Sequence, residues 1–528
     1  MKNNRHGRSR PSIARSYKTF AHEVRRRPLT PLLRELSRHA WAAVEQRLTS
    51  DQPLGVVQEF TLGGIARVAL QHGNDHRSTP RRMLSLEALC AAYINIDEPG
   101  VGDGNLDLSQ MLARLAYEQM PAQSIGVEAF GRVHVLATDH LPFVKNGPTP
   151  EDWESALGVP LTDYWRIGWI LSVALASNEG AIAWTTLALD HVATLFAPLK
   201  WDQVRPVIEQ HLAQTIPQAQ NLARSRVYPP SPKWSYSPLE QRPLLDTGEE
   251  LICPAPHFLS AQLTPTGIYY LGLDHFGSTF GQALGDAFES YVGAQLDLLT
   301  HAVVHREITY DKDSKKSCDY IVITDECVLL IECKSGRPNI EARLGNGTDS
   351  MKKISKGKAQ LETTAQLIKD RHTSFSHIPD DRPMLGLVVT LEPHYLAQTL
   401  SEDILFSEVL PITDATVQDL ELTTAALADR VDLGERLRDR IWPYPPWAPR
   451  PPDLRKAVTD LAETAPRNPI VEAGWDVLTD LPAIELAQRN GDGSPPVASV
   501  DGPWDAADVC RSGGSAACPR RCRARAGP

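Results

Sequence analysis

In Cys318-Asp319-Tyr320-Ile321-Val322-Ile323-Thr324-Asp325-Glu326-Cys327-Val328-Leu329-Leu330-Ile331-Glu332-Cys333-Lys334, two β-branched, apolar runs flank the polar pair Asp325-Glu326. This reads as a hairpin. If the turn is symmetric about that pair, Thr324 faces Cys327 and Asp319 faces Glu332, and the numbers of paired residues always sum to 651. A four-residue turn keeps that register, whereas a three-residue turn would move it. The pair is not the Asn-Gly or Asp-Gly that a tight two-residue turn prefers. Cross-strand partners share a face, with Cβ atoms about 4.5–5.5 Å apart, so two carboxylates meet at the end of an apolar ladder. Lys334, two residues beyond Glu332, points to the same face. Both faces between turn and carboxylates are apolar, which marks a central strand pair. A buried sheet that ends in Asp, Glu and Lys sets local pattern against burial, and such conflicts tend to mark function.

Hard divalent cations such as Mg²⁺ or Mn²⁺ take carboxylate oxygens and keep several waters. A cation there can polarise a phosphoryl oxygen and acidify a bound water, while an ammonium orients the nucleophile or stabilises developing charge. The residue types therefore suit phosphodiester hydrolysis.

The arrangement resembles the PD-(D/E)xK nuclease superfamily, with its restriction-endonuclease-like fold. The resemblance implies an α/β fold class with an αβββαβ core: a helix at about Phe280–Leu299, strands at about Val303–Tyr310, Cys318–Thr324 and Cys327–Lys334, a helix at about Ser350–Arg371 and a strand at about Met384–Leu391. It further implies Asp319 and Glu332 as metal ligands, the Cys333 carbonyl as another, Lys334 as the catalytic lysine, and an acid from the first helix. Glu289 borders that helix's apolar stripe and is the candidate. Gln360 is the candidate for a glutamine from the second helix, with Gln366 as the alternative. The proline of the family motif is replaced by Cys318. A second match to the bare pattern, Asp297 with Asp313-Ser314-Lys315, puts its first Asp in a helix and its triplet in a polar run. Lys352, Lys353, Lys356 and Lys358 cluster at the start of the second helix, where they either meet a phosphate backbone or form a solvated face.

The resemblance covers about 115 of the 528 residues. Residues 1–40 carry eleven Lys/Arg against two Glu and read as a partly disordered basic arm. Residues 41–225 read as a separate helical domain and 226–275 as a Pro-rich linker with short strands at Glu250–Cys253 and Gly267–Leu273. The nuclease-like domain spans 276–440 and closes with an apolar run at Val409–Ile412 and a helix start at Thr413-Asp414. A Pro-rich linker with short helices (441–487) and a disordered tail (488–528) follow.

A net charge of −11 excludes a protein that coats nucleic acid along its whole surface. Eight irregularly spaced cysteines point to the reducing cytoplasm, and Cys510, Cys518 and Cys522 lack a fourth zinc ligand. The basic N-terminus leads into no apolar stretch, so it is not a secretory signal. The apolar region Trp165–Leu199 is broken at Ser177-Asn178-Glu179-Gly180 into two buried helices too short to cross a membrane. The expectation is a Mg²⁺- or Mn²⁺-dependent nuclease acting on DNA ahead of RNA. The runner-up is an inactive nuclease-like module that binds nucleic acid or a partner protein. No ATP-binding motif is present, so a motor or signalling partner would be a separate chain; a homo-oligomer is the other expected partner.

Overall fold

In the computed structural model the hairpin pairs Tyr320 with Ile331, Ile321 with Leu330, Val322 with Leu329 and Ile323 with Val328, so paired numbers sum to 651. The turn closes by a bond from Thr324 N to Cys327 O (3.0 Å). Asp-Glu serves without glycine because the Thr324 hydroxyl accepts from the main-chain N–H of Glu326 (3.3 Å) and Cys327 (3.0 Å). The structure describes residues 16–49, 55–76, 83–96, 117–120, 128–229, 231–312, 314–337, 348–394, 407–441, 454–461 and 464–479. The first fifteen residues, the tail and its cysteines lie outside them.

Helix α1 (Phe280–Leu296) leads to strand β1 (Val303–Arg306), and the hairpin strands are β2 (Tyr320–Ile323) and β3 (Val328–Lys334). Helix α2 (Thr348–Lys369), strands β4 (Met384–Thr390) and β5 (Ile412–Thr416), and helix α3 (Val417–Leu427) follow. The sheet order is β5-β4-β3-β2-β1, with β4 parallel to both its neighbours and the other pairs antiparallel. Strand alternation divides the hairpin between two layers. Tyr320, Val322, Leu329 and Ile331 join the apolar cluster that contains α1, while Ile321, Val328 and Leu330 join the one that contains Ile354, Leu361 and Ala365 of α2.

Several expectations need correction. The strand expected over Val303–Tyr310 stops at Arg306, and Thr309–Tyr310 pairs instead with Lys315–Lys316. Between them the chain reverses through Asp311 and Lys312, both at positive φ. Gly267–Leu273 is not a strand but part of helix Pro265–Phe276, which starts with a proline in its first turn. The helix expected at Thr413-Asp414 begins at Val417; Thr416 and Asp419 form its capping box, and Ile412–Thr416 is the fifth strand. Trp165–Leu199 holds one long helix, Leu161–Ser177, followed by a strand at Ala181–Ala183 and short helices.

Residues 16–40 are no loose arm. They form Tyr17–Arg25 and most of Leu29–Thr49, whose helically spaced Leu29, Leu32, Leu33 and Leu36 are buried. Nor is 226–275 a linker: Leu244–Asp246 and Glu250–Ile252 complete a four-stranded sheet with Ala181–Ala183 and Ala213–Thr215. The helical region is not separate either. One apolar cluster runs from Trp41 through Trp153, Phe280, Tyr291 and Ile331 to Leu437, because α1 presents an apolar outer face that the preceding helices cover. Trp153, for example, packs edge-on against Phe276 and Phe280 at centroid distances of 4.7 and 5.9 Å. Among the described residues no helix is long and apolar enough to cross a membrane.

Candidate active site

Continuing the ladder one step past Tyr320 and Ile331 brings Asp319 and Glu332 together, where both are buried. Asp319 Oδ2 accepts from the main-chain N–H of Cys333 at 2.6 Å, which ties it to the end of β3. Helix α2 fixes the preceding residue, since Thr364 Oγ1 accepts from Cys318 N at 2.9 Å. Glu332 Oε1 accepts from Lys334 Nζ, but the buried Glu332 Oε2 has no hydrogen-bond partner among the described residues. The lysine ammonium also lies 3.4 Å from Gln360 Oε1, so α2 supplies the third side of its cage.

Crowded carboxylates at low exposure resist ionisation. Burial pushes Glu332 up to about 7, Asp319's charge adds to that, and Lys334 opposes it. Burial also raises Asp319, against the pull of the Cys333 N–H and Lys334. Glu289, half-buried on α1, is pushed up to about 7 by burial and then by Asp319, Glu307 and Asp286. Its main-chain carbonyl accepts from Tyr320 Oη at 2.8 Å, locking α1 to β2 beside the cluster. One turn earlier, Gly285 lies against Ser335: a Cβ there would come within 3.2 Å of the serine hydroxyl.

The structure thus brings Asp319, Glu332, Lys334 and Gln360 together and sets Glu289 within their electrostatic reach. Gln366 is elsewhere: it is exposed, and its amide donates to Asp370 of the same helix at 2.8 Å. Lys352, Lys353 and Lys356 are exposed on α2, whereas Lys358 is half-buried and pairs with Glu362 at 3.7 Å. Lys353 reaches over Gly336, just past the end of β3, where a Cβ would lie 2.1 Å from its Nζ. The competing Asp297 and Lys315 pair with Arg306 (4.0 Å) and Asp311 (2.9 Å), and Asp313 lies outside the described residues.

Two neighbours escaped the sequence reading. Glu307, which pairs with Lys316 at 2.8 Å, adds a carboxylate that Asp319 and Glu289 both feel. Gly357 lets α2 lie directly on the site: a Cβ there would sit 3.2 Å from Glu332 Cγ and 3.3 Å from Lys334 Cε. An isolated glycine inside a helical pattern was the available signal.

Among the described residues, no group of three or more His, Cys, Asp and Glu side chains is arranged to hold a metal ion. Two carboxylates, one with an oxygen buried and unpartnered, remain as a donor set, and Mg²⁺ is commonly held by one or two carboxylates with its own waters. No protein-family model, characterised protein or solved structure matches this chain.

Proposed function

We propose that the chain is a metal-dependent nuclease of the PD-(D/E)xK type, with Asp319, Glu332, Lys334 and Gln360 as its active-site side chains. The observation that carries this reading is the buried Glu332 Oε2 beside Asp319 at the end of a central hairpin, with Lys334 held against both Glu332 and Gln360. A buried carboxylate oxygen without a donor is costly unless a cation meets it. Asp319, Glu332 and the Cys333 carbonyl would hold Mg²⁺ or Mn²⁺, with Glu289 acting through a water. When bound, the ion supplies charge against the phosphoryl oxygens and lowers the pKa of its water. The chain's own part is positional: the Cys333 N–H aims Asp319, and Glu332 with Gln360 aims the Lys334 ammonium at charge building on the phosphate. The exposed Lys352, Lys353 and Lys356 are suited to the flanking backbone. DNA is preferred to RNA on the resemblance alone, and five free cysteines among the described residues suit the cytoplasm.

A non-cleaving, nucleic-acid- or protein-binding module is the second reading, favoured by the lack of a third ligating side chain among the described residues. Incubation with plasmid, linear and single-stranded DNA and with RNA, in Mg²⁺, Mn²⁺ or chelator, separates the two. Cutting that needs the cation and falls by about 10²–10³-fold in Lys334→Ala, with Asp319→Ala equally impaired, is expected. Equal cutting by wild type and both variants, or none by wild type, leaves the binding module.

A further inference from the structure

A cavity of about 320 Å³ opens between the helical region, the Lys233–Ser237 segment, helix Pro265–Phe276 and the chain just beyond β3 and β4. That is the lower end of the size range for small-molecule sites. In a chain with a net charge of −11, its wall carries five cationic side chains (Arg67, Arg132, Lys233, Arg337, Arg455) and three carboxylates (Glu118, Glu240, Glu392). Most of these charges are committed. Arg132 pairs with Glu421, Arg455 with Asp419, and Arg67 donates to the carbonyls of Pro232 and Lys233. Glu118 accepts from Tyr93 Oη at 2.7 Å, and Glu392 accepts from Thr266.

Arg337 differs. Its guanidinium lies over the Tyr270 ring, 4.6 Å from the centroid, and its nearest carboxylate oxygen, on Glu392, is 3.9 Å from Nη2. Among the described residues, its buried Nε and Nη1 have no hydrogen-bond partner. A guanidinium desolvated with two nitrogens unmet is unfavourable unless an acceptor arrives, and its fork matches a phosphate better than any single carbonyl. Elsewhere on the same wall, Lys233 sits over Tyr93 and Trp234, 5.4 and 4.9 Å from their centroids, so cation and aromatic surface come together a second time. His257, whose buried Nδ1 has no partner among the described residues, adds a hydrogen-bonding edge, which burial keeps neutral. An anionic group for Arg337, a flat body for the rings and an edge for His257 describe one chemical class.

We propose that this cavity binds a nucleoside phosphate, its phosphate on Arg337 and its base among the Tyr270 and Trp234 rings. The ligand is either a free nucleotide or the phosphorylated end of a strand. Only the second source rests on the nuclease reading. It is geometrically natural, since Arg337 lies three residues beyond Lys334 and Leu391 N, on the cavity wall, donates to Lys334 O at 3.1 Å.

The test is calorimetric titration of the full chain, in chelator, with adenosine 5′-monophosphate, adenosine, inorganic phosphate, and a single-stranded DNA octamer with or without a 5′-phosphate. The nucleotide should bind more tightly than either fragment, and Arg337→Gln should weaken it by at least about tenfold. Tyr270→Ala, at a side chain that is 40% exposed, should weaken it too and gives a second variant whose folding is not at risk. Melting curves check that both variants are folded. Lys334→Ala should bind as wild type does, so loss of cutting and loss of this site are told apart. A 5′-phosphorylated octamer that binds more tightly than the mononucleotide, in an Arg337-dependent way, names the strand end, and equal or weaker binding names the free nucleotide. Absence of nucleotide binding by wild type, binding unchanged in both variants, or phosphate alone binding as tightly as the nucleotide would overturn the proposal.

Discussion

Helix α1 has a buried glutamate packed near it on each side, and the two are treated in opposite ways. Glu421 of α3 accepts from Arg132 Nε (2.5 Å) and Nη2 (2.6 Å) and from Tyr291 Oη (2.6 Å). Gln295 donates to that same tyrosine oxygen, and Asn468 and Thr424 donate to Gln295. Among the described residues, Glu332 of β3 has one cationic partner, an oxygen without a donor and a second carboxylate beside it, and burial pushes its carboxyl up to about 7. A buried charge that serves the fold is saturated by the fold. One left short of partners, at the end of a central strand, is what the proposed metal site requires.

Removing a partner from the saturated network should have the largest effect on stability. Glu421→Ala strands Arg132, which is 6% exposed, and should cost about 3–5 kcal/mol, read from the urea midpoint. Glu332→Gln should behave in the opposite way, abolishing cutting while leaving the midpoint in chelator unchanged or higher. If both variants lose stability alike, the two glutamates are structural and the contrast collapses.

Titration sharpens the contrast. Glu332 folds with a carboxyl at about 7 against an ordinary 4.5, so its contribution is fully present below 4.5 and is lost as pH rises through 7. Glu289 has the same sign, whereas His257 and His211, held down at about 4, contribute above 6.5 and lose that as pH falls. The difference between wild type and Glu332→Gln reports Glu332 together with the carboxyls coupled to it. In chelator, wild type should lose stability relative to the variant from about pH 5 to about pH 8. Mg²⁺ or Mn²⁺ should restore it at the upper end in wild type and not in the variant. A flat difference curve, unmoved by either ion, would mean that Glu332 is neither strained nor a ligand.

What the sequence disclosed follows from periodicity. A turn symmetric about Asp325-Glu326 was enough for the register, and so for placing Asp319 opposite Glu332, and a period of two then put Lys334 on the same face; two apolar faces do not by themselves choose a register. Gln360 was nominated by the resemblance, with Gln366 beside it, and only the packing of α2 separates the two. Glu307 and Arg337 were hidden because their meaning depends on what the chain brings near them, not on their neighbours in sequence. The Ile-Tyr-Tyr-Leu run at 268–271 looked strand-like because its side chains favour strands, yet tertiary packing of Ile268 and Gly272 made it a helix. Pro265 was the overlooked sign. The helical region seemed separate because sequence shows where chain composition changes, not which apolar face covers which.

Gly357 offers the smallest and most local test. Alanine favours a helix over glycine by about 1 kcal/mol, so on propensity alone Gly357→Ala should stabilise α2. Its new Cβ would stand 3.2 Å from Glu332 Cγ and 3.3 Å from Lys334 Cε, closer than carbon atoms rest, so these side chains must yield by a few tenths of an ångström. The two effects nearly cancel in the midpoint. They do not cancel at the site, because the displaced atoms belong to the carboxylate and ammonium that need placing, and catalysis is far steeper in geometry than stability is. Cutting reduced roughly tenfold, with a midpoint within about 1 kcal/mol of wild type, is expected. Unaltered cutting would mean that the close approach of α2 serves packing alone.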